Sequence, residues 1–178
     1  MIPRVLILSG LCLTLGVAAM AQQPSKPKPA VEKKPGGAKA IGRYDDWVAA
    51  SHPEAGQPTC YAFTRAQSST PALPGRGSAV LTVTQRASGR DAVALDAGFA
   101  YPADAAVTMT ADSASVAFYT HQHAAFARDG HAAVAAFQIA AHAVAHSPGP
   151  HDTKVTDTFS LKGFSAAYAA ISKECPAK

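Results

Sequence analysis

The chain has 178 residues, with 16 lysines and arginines against 12 aspartates and glutamates, seven histidines and three cysteines, for a formal charge of +4. The charge is unevenly placed: from Gln22 to Arg43 six basic residues face one acid, whereas from Tyr44 onward eleven acids oppose nine bases. The folded part therefore lacks the basic footprint that nucleic-acid recognition needs, and its length suits one domain rather than two.

Residues 1–21 carry an early Arg4, an apolar run from Val5 to Val17 and the small-x-small ending Ala19-Met20-Ala21, the pattern of a secretory signal. The run is shorter than a usual membrane span, and Cys12 follows Leu11, where a lipoprotein signal wants a small residue. The mature chain is thus expected without a transmembrane helix or lipid anchor. Residues 22–43 combine Pro, Lys, Gly and Ala with almost no large apolar side chains, a composition that cannot bury enough surface to fold. They read as a disordered Pro/Lys-rich tether, whose lysines can make weak contact with an anionic membrane surface or wall polymer, although such runs are more often solvated spacers.

The domain is expected over residues 44–178. Trp47, the single tryptophan, reads as a core anchor. Cys60 to Thr64 alternates as a short strand, with Cys60, Ala62 and Thr64 on one face and Tyr61 and Phe63 on the other. Ser68 to Gly77, rich in Pro and Gly, reads as a loop. Ala79, Leu81 and Val83 share one face of a run that ends at Gln85, Val93 and Leu95 share one face of the next, and Ser88-Gly89-Arg90-Asp91 supplies the turn of a hairpin. Gly98 to Pro102 breaks the pattern. Ala106 to Thr110 and Ser115 to Thr120 alternate again about a turn at Asp112-Ser113, which argues for an antiparallel sandwich or partly closed barrel. An alanine-rich helix over Asp129 to Ala141 follows, with Ala133 and Phe137 at helical spacing, and then a strand from His142 to His146.

Phe164, Tyr168, Ile171 and Cys175 fall at offsets 0, 4, 7 and 11, one face of a helix that points inward. Gly163 permits a tight entry, Ser165 is the expected N-cap, and Lys173 and Lys178 lie where the helix dipole favours positive charge. With Cys12 leaving in the signal, Cys60 and Cys175 remain in an oxidising compartment and are expected to form one structural disulfide. The expected architecture is mainly β, an antiparallel sandwich-like domain with one internal and one C-terminal short helix.

Asp46-Trp47, Cys60-Tyr61-Ala62, the alternating strands, the alanine-rich helix and above all Asp157-Thr158-Phe159-Ser160-Leu161-Lys162-Gly163-Phe164-Ser165-Ala166-Ala167 with Ile171 and Cys175 together resemble the invasion-associated locus B family of exported bacterial proteins. The resemblance covers roughly Tyr44 to Pro176. It implies a mostly β domain in the cell envelope of a Gram-negative bacterium, in the periplasm or at the outer membrane, with no known catalytic mechanism. Gln138 stands where family members often carry a basic residue, and the surrounding segment is unusually rich in histidine.

Histidine is the feature that could carry chemistry. His121 and His123 are spaced to share one strand face, and His142 and His146 share a face in strand or helix. Two such pairs brought together would form a four-nitrogen site suited to zinc, copper or nickel; separately they are exposed loop and edge residues. Hydrolase signatures are missing: there is no Gly-x-Ser-x-Gly elbow, and Asp157 and Ser160 read as turn and capping groups. The expectation is therefore a non-enzymatic protein without a cofactor that contacts an envelope protein, a surface polymer or, in a pathogen, the host surface. A periplasmic metal-binding protein is the competing reading.

Overall fold

The computed structural model describes residues 37–177. The expected signal segment and residues 22–36 of the expected tether lie outside the described residues. Strands β1 (Lys39–Tyr44), β2 (Trp47–Glu54), β3 (Gln57–Arg65) and β4 (Ser68–Thr70) open the domain. They are followed by β5 (Val80–Arg86), β6 (Gly89–Asp96), β7 (Ala106–Ala111), β8 (Ala114–His121) and β9 (Ala124–Ala127). Helix α1 (Gly130–Ile139), β10 (His142–Pro148), β11 (Lys154–Ser160) and α2 (Phe164–Glu174) complete it.

The eleven strands among the described residues form one antiparallel sheet in the order β1-β2-β3-β5-β6-β9-β8-β7-β10-β11-β4. β4 directly follows β3 in sequence yet pairs with β11 at the far end of the ladder, and the Gln67 amide donates to the Thr158 carbonyl at 2.8 Å. The sheet therefore curls until its two ends approach. One inner face encloses one core, so the sandwich-like expectation is realised by a single folded-over sheet.

The alternation that marked the strands is what fills this core. Ala79, Leu81, Val83, Val93 and Leu95 are all buried, as are Val107, Met109, Val116 and Phe118 from the other half. Asp129 caps α1 by accepting from the Ala132 amide at 2.9 Å, and the helix buries Ala133, Val134, Ala136 and Phe137. In α2 the buried stripe is Phe164, Ala167 and Ile171, with Tyr168 half-buried beside it. Phe164 joins the helices to the sheet, its ring 4.8 Å from Trp47 and 5.6 Å from Phe137. Cys175 ends α2 and is bonded to Cys60 across a Cα separation of 5.9 Å.

Several expectations are corrected. Lys39 to Arg43, placed in the tether, form most of β1, because an edge strand paired on one side needs little apolar surface; a register shift between Ala40 and Gly42 marks it as bulged. Ser68–Thr70, placed in a loop, is a strand because β11 offers it a partner. The turn before β6 is tighter than expected, with Gly89 already paired to Arg86. Gly163, not Ser165, caps α2 with φ +86°. A Cβ there would lie 2.1 Å from the Tyr44 carbonyl oxygen, so both backbone conformation and close approach demand glycine.

Candidate binding surface

The motif that entered as a family likeness is used internally. Trp47 Nε1 donates to the Ser160 carbonyl at 3.0 Å, and the Asp46 amide donates to the Lys162 carbonyl at 3.4 Å. Ser160 Oγ accepts from the Lys162 amide at 3.2 Å, the turn role expected of it. Asp157 does not cap a turn. It lies in β11, fully buried, and receives both guanidinium arms of Arg76 at 2.9 and 2.7 Å. Ser69 Oγ adds a third bond to Asp157 at 2.6 Å. Arg76 Nε donates to the Ala97 carbonyl, and its guanidinium lies 4.9 Å from the Phe99 ring centroid. A long loop is thereby fastened to the sheet, and the motif's acid and hydroxyl are engaged in structural bonds.

A second polar cluster joins β5, β6 and both helices. Asp91 Oδ1 accepts from Gln85 Nε2 at 2.6 Å and from the Tyr168 hydroxyl at 2.7 Å, while Oδ2 faces His131 Nδ1 at 3.2 Å. Burial raises the Asp91 pKa, but the bonds from Gln85, Tyr168 and His131 outweigh it and hold the carboxyl below its ordinary 3.8. Burial, and then the bond to Asp91, raise the Tyr168 phenol above 10.0. The depressed carboxyl contributes stability that is complete above the unfolded value and is lost as pH falls through the folded one. The raised phenol contributes stability that is present below its unfolded value and lost as pH rises through the folded one. Tyr168→Phe is therefore expected to move the acid-unfolding midpoint to higher pH, because Asp91 loses a donor; circular dichroism across an acid titration measures this. An unchanged midpoint would show the bond to be unimportant.

The four histidines do not converge. His142 and His146 sit on one face of β10, four residues and so about 13 Å apart along the strand. His146 pairs with Thr108 on β7, and Thr108 with Ala117 on β8. His121 is four residues beyond Ala117, which places it about 16 Å from His146 by strand spacings. His123 is not on that strand face but in the turn after β8, its carbonyl accepting from the Ala97 amide at 3.1 Å. Among the described residues no group of three or more His, Cys, Asp or Glu side chains is placed to hold a metal ion. Strand spacing correctly put His142 and His146 on one face of β10, but it misplaced His123 and said nothing of the distance between the pairs.

What the sheet offers solvent is mostly uncharged. Two cross-strand rows run over five strands: Thr70, Thr156, His146, Thr108 and Ala117, and beside them Ser68, Thr158, Val144, Thr110 and Ser115. On the other half a row passes from Arg43 through Val48, Phe63, Thr82, Ala94 and Phe126 to Tyr119. Next to it on β3, Tyr61 packs between His52 and Phe63 at ring distances of 5.5 and 6.2 Å. A depression of about 250 Å³ beside Phe63 is bordered by Arg43, Asp46 and Arg65. None of these surface groupings stood out in the sequence; the alternation that set Tyr61 and Phe63 outward was the one available signal.

The sequence profile of the invasion associated locus B (IalB) proteins matches residues 47–172. The chain belongs to the IalB family. The crystal structure of invasion associated protein B from Bartonella henselae is similar in fold, with a TM-score of 0.55 and 19% identity, covering 75% of this chain and 97% of that one. No curated protein matches the chain. The IalB match begins at Trp47 and reaches past Ser160, so it spans both sides of the Trp47 to Ser160 bond, whereas Arg43 lies before it.

Proposed function

We propose that this IalB protein is exported and works in the cell envelope of a Gram-negative bacterium, in the periplasm or against the outer membrane, by non-catalytic contact with an envelope protein, a surface polymer or, in a pathogen, a host surface. The observation that carries this reading is the division of labour between the faces of the sheet. The inward-facing carboxylates Asp157 and Asp91 are engaged in structural bonds. The outward face presents hydroxyl rows on one half and, beside Arg43, an aromatic row on the other, a broad surface suited to contact rather than to enclosing a small substrate.

Fractionation of cells that express the full chain tests the reading. The protein is expected in the envelope fraction, partly retained there through crosslinks to a partner. The informative truncation removes residues 22–36 and leaves Lys39–Arg43, which belong to β1. Recovery of the protein solely as a free, soluble monomer, with or without those residues, would count against the proposal.

A further inference from the structure

We propose that the outer face of β1 to β3 is a binding site for an acidic polysaccharide, with Arg43 and Arg65 holding its anionic groups and the Tyr61 and Phe63 rings supporting its sugar faces. The inference rests on the contact reading above and narrows the surface polymer to one chemistry.

The arginines carry the argument by contrast. Of the six among the described residues, Arg76 pairs with Asp157, Arg86 with Glu54, Arg90 donates to the Cys175 carbonyl, and Arg128 lies over the Tyr119 ring. The side chains of Arg43 and Arg65 make no hydrogen bond or ion pair among the described residues. These two border the same depression, and its remaining walls include Val48 and Phe63. Arg65 follows Phe63 by two residues on β3, and Arg43 lies in the Phe63 cross-strand row with Val48 between them. Asp46 stands on the rim with one carboxylate, which leaves an excess of positive charge.

A neutral polymer would desolvate two guanidinium groups without replacing their water bonds, which is costly. A carboxylate or phosphate replaces them with charge-assisted, bidentate bonds. The rings then select the carrier of that charge. His52, Tyr61 and Phe63 form a continuous half-buried strip along the sheet, a platform for an extended chain rather than a cleft for a single headgroup. The negative aromatic faces attract the weakly positive C–H face of a pyranose.

Calorimetric titration of the purified full chain tests this, using polygalacturonate as the acidic polymer, dextran as the neutral one and phosphatidylglycerol vesicles as the anionic surface. Binding is expected with polygalacturonate and not with dextran or vesicles. Arg43→Gln with Arg65→Gln should weaken it about tenfold or more, as for the loss of charge-assisted anchors, and Tyr61→Ala about fivefold with the charge unchanged. The control pair Arg86→Gln with Arg128→Gln removes the same charge elsewhere and leaves the basic stretch before β1 intact; it should change binding less than about twofold. Melting curves establish that each variant is folded. Equal losses in both arginine pairs would show diffuse attraction and overturn the site, as would binding to vesicles in place of polygalacturonate. A protein that remains envelope-bound in cells but ignores polygalacturonate in vitro overturns the glycan site alone and leaves the contact reading standing.

Discussion

Replacing Cys175 with serine is expected to lower the melting temperature by about 10 °C, the shift for a loss of roughly 3 kcal/mol in a domain of this size. The bond closes a sequence separation of 115 residues, and the chain-entropy account assigns a loop of that length about 5 kcal/mol, with native bridges commonly contributing about 2–5. Much of a small domain's total stability, about 5–15 kcal/mol, would therefore depend on it. Both cysteines are buried, so the serine hydroxyl also enters a site without a matched partner. Thermal unfolding followed by circular dichroism reads the effect, and reduction of the wild type should reproduce most of it. Superimposable curves for variant and wild type would show that packing of Phe164 and Ile171 alone secures α2.

Asp157→Ala is expected to cost about 3–5 kcal/mol, because it strands a guanidinium whose charge cannot reach water. The Arg76 side chain is only 5% exposed and that of Asp157 not at all, and the bond from Ser69 is lost as well. Urea unfolding should show a lower midpoint at an unchanged slope. The paired change Arg76→Met with Asp157→Leu should recover part of the loss, since replacing both buried charges with apolar groups costs less than removing one. The bond of Arg76 to the Ala97 carbonyl keeps that recovery incomplete. A single variant as stable as wild type would mean that the loop carrying Arg76 swings out and rehydrates the charge at little cost.

The parts of the fold legible beforehand were those written in local periodicity. Leu81 with Val83 and Val93 with Leu95 announced a hairpin because a half-buried strand repeats every two residues; Phe164, Ile171 and Cys175 announced a helix because its buried stripe repeats every 3.6. Asp157 was misread because an Asp beside Thr and Ser usually serves neighbouring backbone amides, whereas its true partner, Arg76, is 81 residues away. β1 was misread for a related reason: Lys39 to Arg43 have a linker's composition, and only pairing with β2 makes them a strand. The candidate surface was the least legible. Arg43 and Arg65 are 22 positions apart in the chain and become neighbours of Phe63 only through the registers of β1, β2 and β3. The histidines failed in the opposite direction, since the expected sharing of strand faces, realised only by His142 and His146, suggested a proximity that the topology withholds.

The covalent bond between Cys60 and Cys175 also decides how the domain would carry mechanical load. Tension applied between Lys39 and the end of α2 enters through β1 and β2, reaches the bridge at Cys60, and leaves at Cys175. Everything between Cys60 and Cys175 lies inside the closed loop and is bypassed by the load. Only the segment before Cys60 can be drawn out under that tension; it holds β1, β2 and the start of β3, so extension withdraws Trp47 from its packing on Phe164 and stops at the bridge.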